Sequence, residues 1–374
     1  ESFGFERQHL QLGRGSNPGV IRAEDQPTGE DDSLRGFFDA TRRGMMATLS
    51  YQASERLTDL LWQPVTTARS VLAVIESVRP DTILVDHLAF GARLALVAGA
   101  VPHADVVLGH PSALPGAGEG YGFAPQWPAA FTPSAAELAE LRELCERVSA
   151  HFTAEWNAAL AELAPHAVPS ASAFKEHGDL LLLNYPAELS SPERTAALPP
   201  HIFLGSAVRE EPIDPEVERW LAASSAPYVY VSFGSFLSVR SDALARVAAA
   251  IESLGLRAAL ASGSADPADL AHLPSHWLVR GFLPQVRLLQ GAAAAVTHGG
   301  NNSVTEAMTY GVPLVVLPFS TDQFAGAEAI VRAGVGVALA PNTATVDQLA
   351  EAITAALAMS VPFADTLRTD PGRD

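Results

Sequence analysis

The stretch VTHGGNNSVTEAM, residues 296–308, gathers groups that suit one kind of ligand. The alanine-rich run before it reads as a buried strand. His298, Gly299 and Gly300 then make the turn at the strand's carboxyl end. Asn301 and Asn302 open a helix, with Glu306 one turn in. Glycines let a ligand approach the backbone closely. The first N–H groups of the helix, with its dipole, attract an anion. Asn302 and Ser303 add side-chain donors, and His298 can donate from its ring at the same mouth. Glu306 suits a sugar hydroxyl better than a phosphate. The set describes a phosphate next to a ribose, that is, a nucleotide. The same residues would also serve a plain strand–turn–helix with asparagine as N-cap. Three neighbours favour the nucleotide. GVPLVVLP follows as the partner strand, and STDQ at its carboxyl end puts Asp322 and Gln323 beside the same mouth. GFLPQ, just upstream, offers Phe282 as a flat apolar surface for a base.

Strand–helix units must carry these groups. In the second half the pattern runs YVYVSFGS (228–235), a helix over 241–253, RAALASG, HWLVRGFLPQ, AAAAVTH, GVPLVVLP and VGVALA, with helices between and a last helix in VDQLAEAITAALA. In the first half, residues 1–35 read as loop with a strand at His9–Leu12, and helical spacing covers 34–78 with a break at Pro64. PDTILVD holds a strand at Ile83–Asp86, followed by a helix over 87–99 and a strand in VPHADVVLG. Helix returns at Ala135–Leu163, then strands in DLLLLNYP and HIFLGS. Such alternation makes parallel sheets, and 374 residues exceed one usual core. The expected fold is α/β, two Rossmann-like doubly wound domains facing a cleft, with ligands at the carboxyl ends of the strands. The expected divisions are a first domain over 1–206, an acidic linker and domain entry over 207–226, a second domain over 227–360 and a tail over 361–374.

The run GFLPQVRLL…THGGNNSVTEAMTYGVPLVVLPFSTDQ resembles the donor-binding signature of nucleotide-sugar glycosyltransferases of the GT-B fold, the UDP-glucuronosyl/UDP-glucosyltransferase family, and most of all its bacterial natural-product and macrolide branch. VSFGS fits as well, so the likeness covers the whole second domain in order. The resemblance implies that His298, the Gly300 backbone, Asn302 and Ser303 contact the pyrophosphate and that Glu306 holds the ribose. Phe282 stands where the family has tryptophan, which implies weaker stacking on the base. Gln285 is placed near the ribose or base, Asp322 and Gln323 at the sugar hydroxyls, and Ser235 at the β-phosphate or facing the acceptor. The family needs no metal and no cofactor beyond the NDP-sugar, whether UDP or TDP.

The implied reaction is an inverting transfer to a hydroxyl of a small lipophilic natural product. It requires a base for the acceptor proton. The family keeps that base as a histidine in a glycine-rich turn after its first strand, and an aspartate from a later strand orients it. Asp86 ends its strand at the place for that aspartate; its competing role is an N-cap for the helix that follows. The histidine turn is not in this sequence. The chain opens on ESFGFERQHLQLG without a methionine and reads there as the middle of a domain, so the first unit is expected outside the given sequence. His87 and His110 are weighed as substitute bases, with a hydrogen-bonded structural role favoured for each. His110, after the strand in VVLG, could face the cleft as part of the acceptor pocket; residues 111–133 form a long proline- and glycine-rich loop in which Tyr121, Phe123 and Trp127 either line that pocket or pack on the loop. Met45 and Met46 suit an adaptable opposite wall.

A formal net charge of -18 argues against nucleic acid and anionic membrane as partners. No run is long and apolar enough for a membrane span, and Cys145, the single cysteine, permits no internal disulfide. A cytoplasmic setting and a homodimer are compatible with this. Two rival readings are a non-catalytic nucleotide-sugar binder or activator of a partner transferase, and a GT-B epimerase or glycolipid transferase. The last pair would need extra acids in the donor half or a basic apolar patch, and the sequence has neither.

Overall fold

The computed structural model describes residues 4–13 and 30–368. The first half begins with three helices, α1 (Glu30–Arg43), α2 (Met45–Asp59) and α3 (Pro64–Val78). Then come β1 (Leu84–Asp86), α4 (Phe90–Ala98), β2 (Ala104–Val107), α5 (Ala135–Leu163), β3 (Leu180–Leu183), α6 (Pro192–Ala196) and β4 (His201–Phe203). All four strands are parallel, in the order β1-β2-β3-β4. After α7 (Pro215–Ala222) the second half runs β5 (Tyr228–Ser232), α8 (Gly234–Leu237), α9 (Ser241–Ser253), β6 (Arg257–Ala261), β7 (Leu278–Arg280), α10 (Gln285–Leu289), β8 (Ala294–Thr297), α11 (Asn301–Thr309), β9 (Leu314–Val316), α12 (Gln323–Arg332), β10 (Gly336–Ala338), α13 (Val346–Leu357) and α14 (Ala364–Arg368). Its six parallel strands lie in the order β7-β6-β5-β8-β9-β10. By position within this half that order is 3-2-1-4-5-6, which reverses between β5 and β8 and opens a crevice at their carboxyl ends.

Local chemistry accounts for the breaks. Gly44, at φ 108, separates α1 from α2, and Pro64 stands in the first turn of α3, where its missing N–H costs nothing. α5 begins on a capping box, Ser134 with Glu137. β5 and β8 are buried at every position and read accordingly as unbroken apolar runs.

Several expectations need correction. His9–Leu12 forms no strand, and helix begins at Glu30 rather than after residue 34. The helix assigned to 87–99 starts only at Phe90, because residues 87–89 are spent on a turn. Asp86 is therefore no N-cap: its Oδ1 accepts the amide of Leu88 within that turn, at 2.9 Å. The acidic linker carries α7, because Asp214 caps it by accepting from the amides of Glu216 and Val217, and Pro215 opens its first turn. In the tail, α14 packs on α11, and Leu367 reaches Gly205 just past β4.

The halves meet along a polar seam. Asn342 Nδ2 donates to the carbonyls of Thr41 and Arg42, and Arg332 donates to Gln126 and to the carbonyl of Leu189. Apolar contacts cross as well. Phe37 of α1 joins the core under the second sheet, while Phe324 of α12 joins that of the first half, edge-on to Phe131.

Inside the first half lies a buried charge cluster. Asp105 pairs with Arg93 Nε at 2.8 Å, accepts the Gly178 amide and faces His87 Nδ1 at 3.8 Å. His87 is thus buried toward Asp105, whereas Asp86 is exposed. Burial opposes ionisation of Asp105, but His87, Arg93 and the Gly178 amide outweigh it and hold its pKa at about 2. That pKa lies below the unfolded value, so the stability it contributes is present above about pH 4 and lost as pH falls toward 2. Arg93→Leu leaves Asp105 buried without its cation and is expected to cost roughly 3–5 kcal/mol in urea unfolding at pH 7, with less loss near pH 3.

Candidate functional site

The crevice between β5 and β8 is built around one imidazole. His298 leaves the end of β8, and Gly234 leaves the end of β5 beside it. A Cβ at Gly300 would stand 2.4 Å from His298 Nε2, and one at Gly234 would stand 3.1 Å from Cε1. Gly234 and Gly299 also hold positive φ, at 69° and 83°. The VSFGS and HGG motifs are therefore two halves of one seat, brought together by strand pairing across 65 residues of chain. Desolvation pulls the His298 pKa down to about 4, and a backbone hydrogen bond to Ser232 only partly opposes this. The ring is neutral at neutral pH.

Gly300 is the N-cap of α11, so the first amides of that helix open onto the crevice beside His298. Asn302 is exposed there and Ser303 half-buried. One turn in, Glu306 is buried; its Oε2 accepts Gln285 Nε2 at 2.6 Å, and its Oε1 lies 3.7 Å from Arg209 Nη1. Burial raises its pKa, against the pull of Gln285 and Arg209. Phe282 is 71% exposed, an apolar ring left on the surface beside α10. His298, Gly300, Asn302, Ser303, Gln285, Glu306 and Phe282 thus share one end of the second sheet. The side chain of Ser235 lies outside the described residues.

Asp322 and Gln323 sit at the seam. Asp322 Oδ2 accepts the His110 amide at 2.6 Å, and its Oδ1 accepts the Thr321 hydroxyl at 2.9 Å. Gln323 Oε1 is turned into its own loop, where it accepts the amides of Phe319 and Ser320. In this conformation neither side chain is turned to an open mouth. His110 is buried, its Nδ1 accepting the Ser112 amide, and burial pushes its pKa down to about 3. That places it as a structural group and not as a base.

The loop aromatics divide. Tyr121 stacks on Phe174 at 3.9 Å within the core of the first half, so it does not line a pocket. Phe123 carries Arg142 over its ring, and Trp127 packs against the same core. The cavity that opens between the halves is lined instead by Met45, Met46, Phe131, Pro318, Phe319 and Asn342, with a volume of about 410 Å³. A larger cavity, about 1040 Å³, lies within the first half between the 114–119 loop and α6. Among the described residues no helix is long and apolar enough to cross a membrane.

Residues 141–361, more than half of the chain, match the profile of the UDP-glucoronosyl and UDP-glucosyl transferase family. The chain belongs to that family. Glycosyltransferase GtfC of Amycolatopsis orientalis is 40% identical over 170 residues, which cover 43% of this chain and 40% of GtfC. NDP-glycosyltransferase YjiC of Bacillus subtilis (strain 168) is 40% identical over 90 residues, 24% of this chain and 23% of YjiC. The matches thus span less than half the length of these curated relatives. Among solved structures, the glycotransferase of kitacinnamycin superposes with a TM-score of 0.60 at 21% identity, over 86% of this chain and 76% of that one. VinC, solved in complex with DTDP, gives 0.55 at 20% identity, over 91% and 76%. These likenesses establish the fold, two Rossmann-like domains of GT-B type.

For this member of the UDP-glucoronosyl and UDP-glucosyl transferase family, sequence motifs located the groups that gather at this end of the second sheet but missed Arg209 and the seam contacts. Arg209 sits in the acidic linker, where only its positive sign sets it apart. The low pKa of His298 is checked by NMR of its ring nitrogens. The free protein is expected to titrate near pH 4, and added UDP should move the midpoint upward, because a neighbouring anion favours the charged ring.

Proposed function

We propose that the chain acts as an inverting glycosyltransferase, moving a sugar from a UDP- or TDP-sugar to a hydroxyl of a small lipophilic acceptor. The observation that carries this is the juxtaposition at the switch point: a neutral imidazole, a helix N-terminus with no side-chain cap and, one turn deeper, a buried carboxylate. Pyrophosphate fits the first two and a ribose hydroxyl the third. Phe282 offers its exposed face to the base. When the acceptor hydroxyl attacks C1, the nucleoside diphosphate departs toward His298 and the amides of α11. Fixed dipoles there offset the developing charge without a metal. Asp86, exposed at the carboxyl end of β1, stands where it could orient a base histidine. Asp322 and Gln323 read the sugar once the seam contact of Asp322 is exchanged for a sugar hydroxyl.

The cavity between the halves suits the acceptor. Two methionines and two phenylalanines give it adaptable apolar surface beside polar groups such as Thr41, Glu137 and Asn342, and it opens beside the loop that leads to Asp322. Structural neighbours include the kitacinnamycin, spinosyn and calicheamicin glycosyltransferases, which supports a natural-product acceptor.

His298→Ala is expected to weaken UDP or TDP binding by roughly 1.5–3 kcal/mol, the value of a hydrogen bond to a charged group. Unchanged affinity in titration calorimetry would reject the donor assignment. Ala47→Trp, which narrows the cavity, should leave nucleotide affinity intact while cutting kcat/KM for lipophilic acceptors by about tenfold or more. Equal kcat/KM would move the acceptor elsewhere.

A further inference from the structure

Glu306 poses an electrostatic problem that the donor motif does not solve. To accept ribose hydroxyls with both oxygens it must be ionised, yet it is only 3% exposed. A buried carboxylate without a cation gives up its charge. Gln285, bonded at 2.6 Å, is a neutral donor. The cation that reaches Glu306 comes from outside every donor motif: Arg209, on the segment between β4 and α7.

The arrangement around Arg209 is a closed ring. Glu211 Oε1 accepts from its Nε at 3.3 Å and from its Nη2 at 3.0 Å. Glu211 Oε2 accepts the amide of Arg287 in α10. α10 begins with Gln285, which holds Glu306, and Glu306 faces Arg209 again. Glu211 is nearly buried as well, with 8% of its side chain exposed, so two carboxylates share one guanidinium. Of its two contacts, Glu211 is the hydrogen-bonded one, and the 3.7 Å gap to Glu306 is an ion pair without a hydrogen bond. Glu306 Oε1 therefore faces a cation and keeps its lone pairs for another donor.

We propose that Arg209 is a positioning residue of the donor site: it keeps Glu306 ionised so that Oε1 accepts a ribose hydroxyl, and so makes the interdomain segment part of nucleotide recognition. This rests on the donor reading above. The groups facing Glu306 are Arg209 and Glu211 from that segment and Gln285 from α10; Tyr230 of β5 stands behind, its hydroxyl on Gln285 Oε1. Burial and Glu211 raise the Glu306 pKa, whereas Arg209 and Gln285 lower it. Removing Arg209 must raise it further, so ribose recognition is lost at a higher pH.

The experiment is calorimetric titration of the full chain with UDP between pH 5 and 8, and with inorganic pyrophosphate as the ribose-free probe. Arg209→Gln is expected to move the acid fall-off of UDP affinity up by roughly one pH unit. Arg209→Lys should restore most of the wild-type curve. For pyrophosphate, and for UDP in a Glu306→Gln background, Arg209→Gln should leave the pH midpoint where it was. An unmoved UDP curve in Arg209→Gln, or a shift of equal size with pyrophosphate, overturns the inference while the donor site stands. A wild-type protein that binds neither probe overturns the donor reading and this inference with it.

Discussion

The seat of His298 is the constraint on which the rest of the site depends. An imidazole can stand at the end of β8 only because a glycine occupies the position beside it in each flanking segment. Gly300 is the more demanding, since a Cβ there would fall 2.4 Å from the ring. Gly234 supplies the other side, and it comes from a strand 65 residues earlier that pairs with β8 register by register. The same absence of bulk exposes the amides at the start of α11. One steric requirement thus places a hydrogen-bonding ring, a helix terminus and bare backbone at a single point, and that point is where the sheet order reverses.

Around this point the polar groups differ in how they are held. Gln285, Glu306, Glu211 and Arg209 form a ring of fixed contacts, so this side of the crevice is preorganised. The side toward Asp322 is not. Asp322 is engaged by the backbone of the other half, at His110. A ligand that takes its carboxylate must displace that amide. That carboxylate therefore links any ligand that binds it to how the halves meet.

The seam itself is mixed in character. Phe37 and Phe324 exchange places, each entering the core of the opposite half, while the contacts of Arg332 and Asn342 are hydrogen bonds near the surface. An apolar exchange of this kind orients two halves without many charges. It leaves the cleft cavity bounded by Met45, Met46 and Phe319, side chains that tolerate different shapes of partner.

The amino-acid order alone determined the crevice end of the second sheet. Its groups are close in sequence, so turn glycines, strand and helix periods and the order of motifs suffice: β8, His298 and α11 with Glu306 fall within 16 residues, and α5 and α9 were placed with the observed bounds. Only the tertiary structure decided what depends on long-range packing. Tyr121 reads as a pocket aromatic in a glycine-rich loop, yet stacking on Phe174 makes it core. Asp322 reads as a free sugar ligand, yet the seam engages it. Arg209 reads as one charge in a linker, yet it is the cation of a buried carboxylate 97 residues away. Periodicity and turn chemistry act over a few residues, whereas burial and ion pairing are set by which distant surfaces meet.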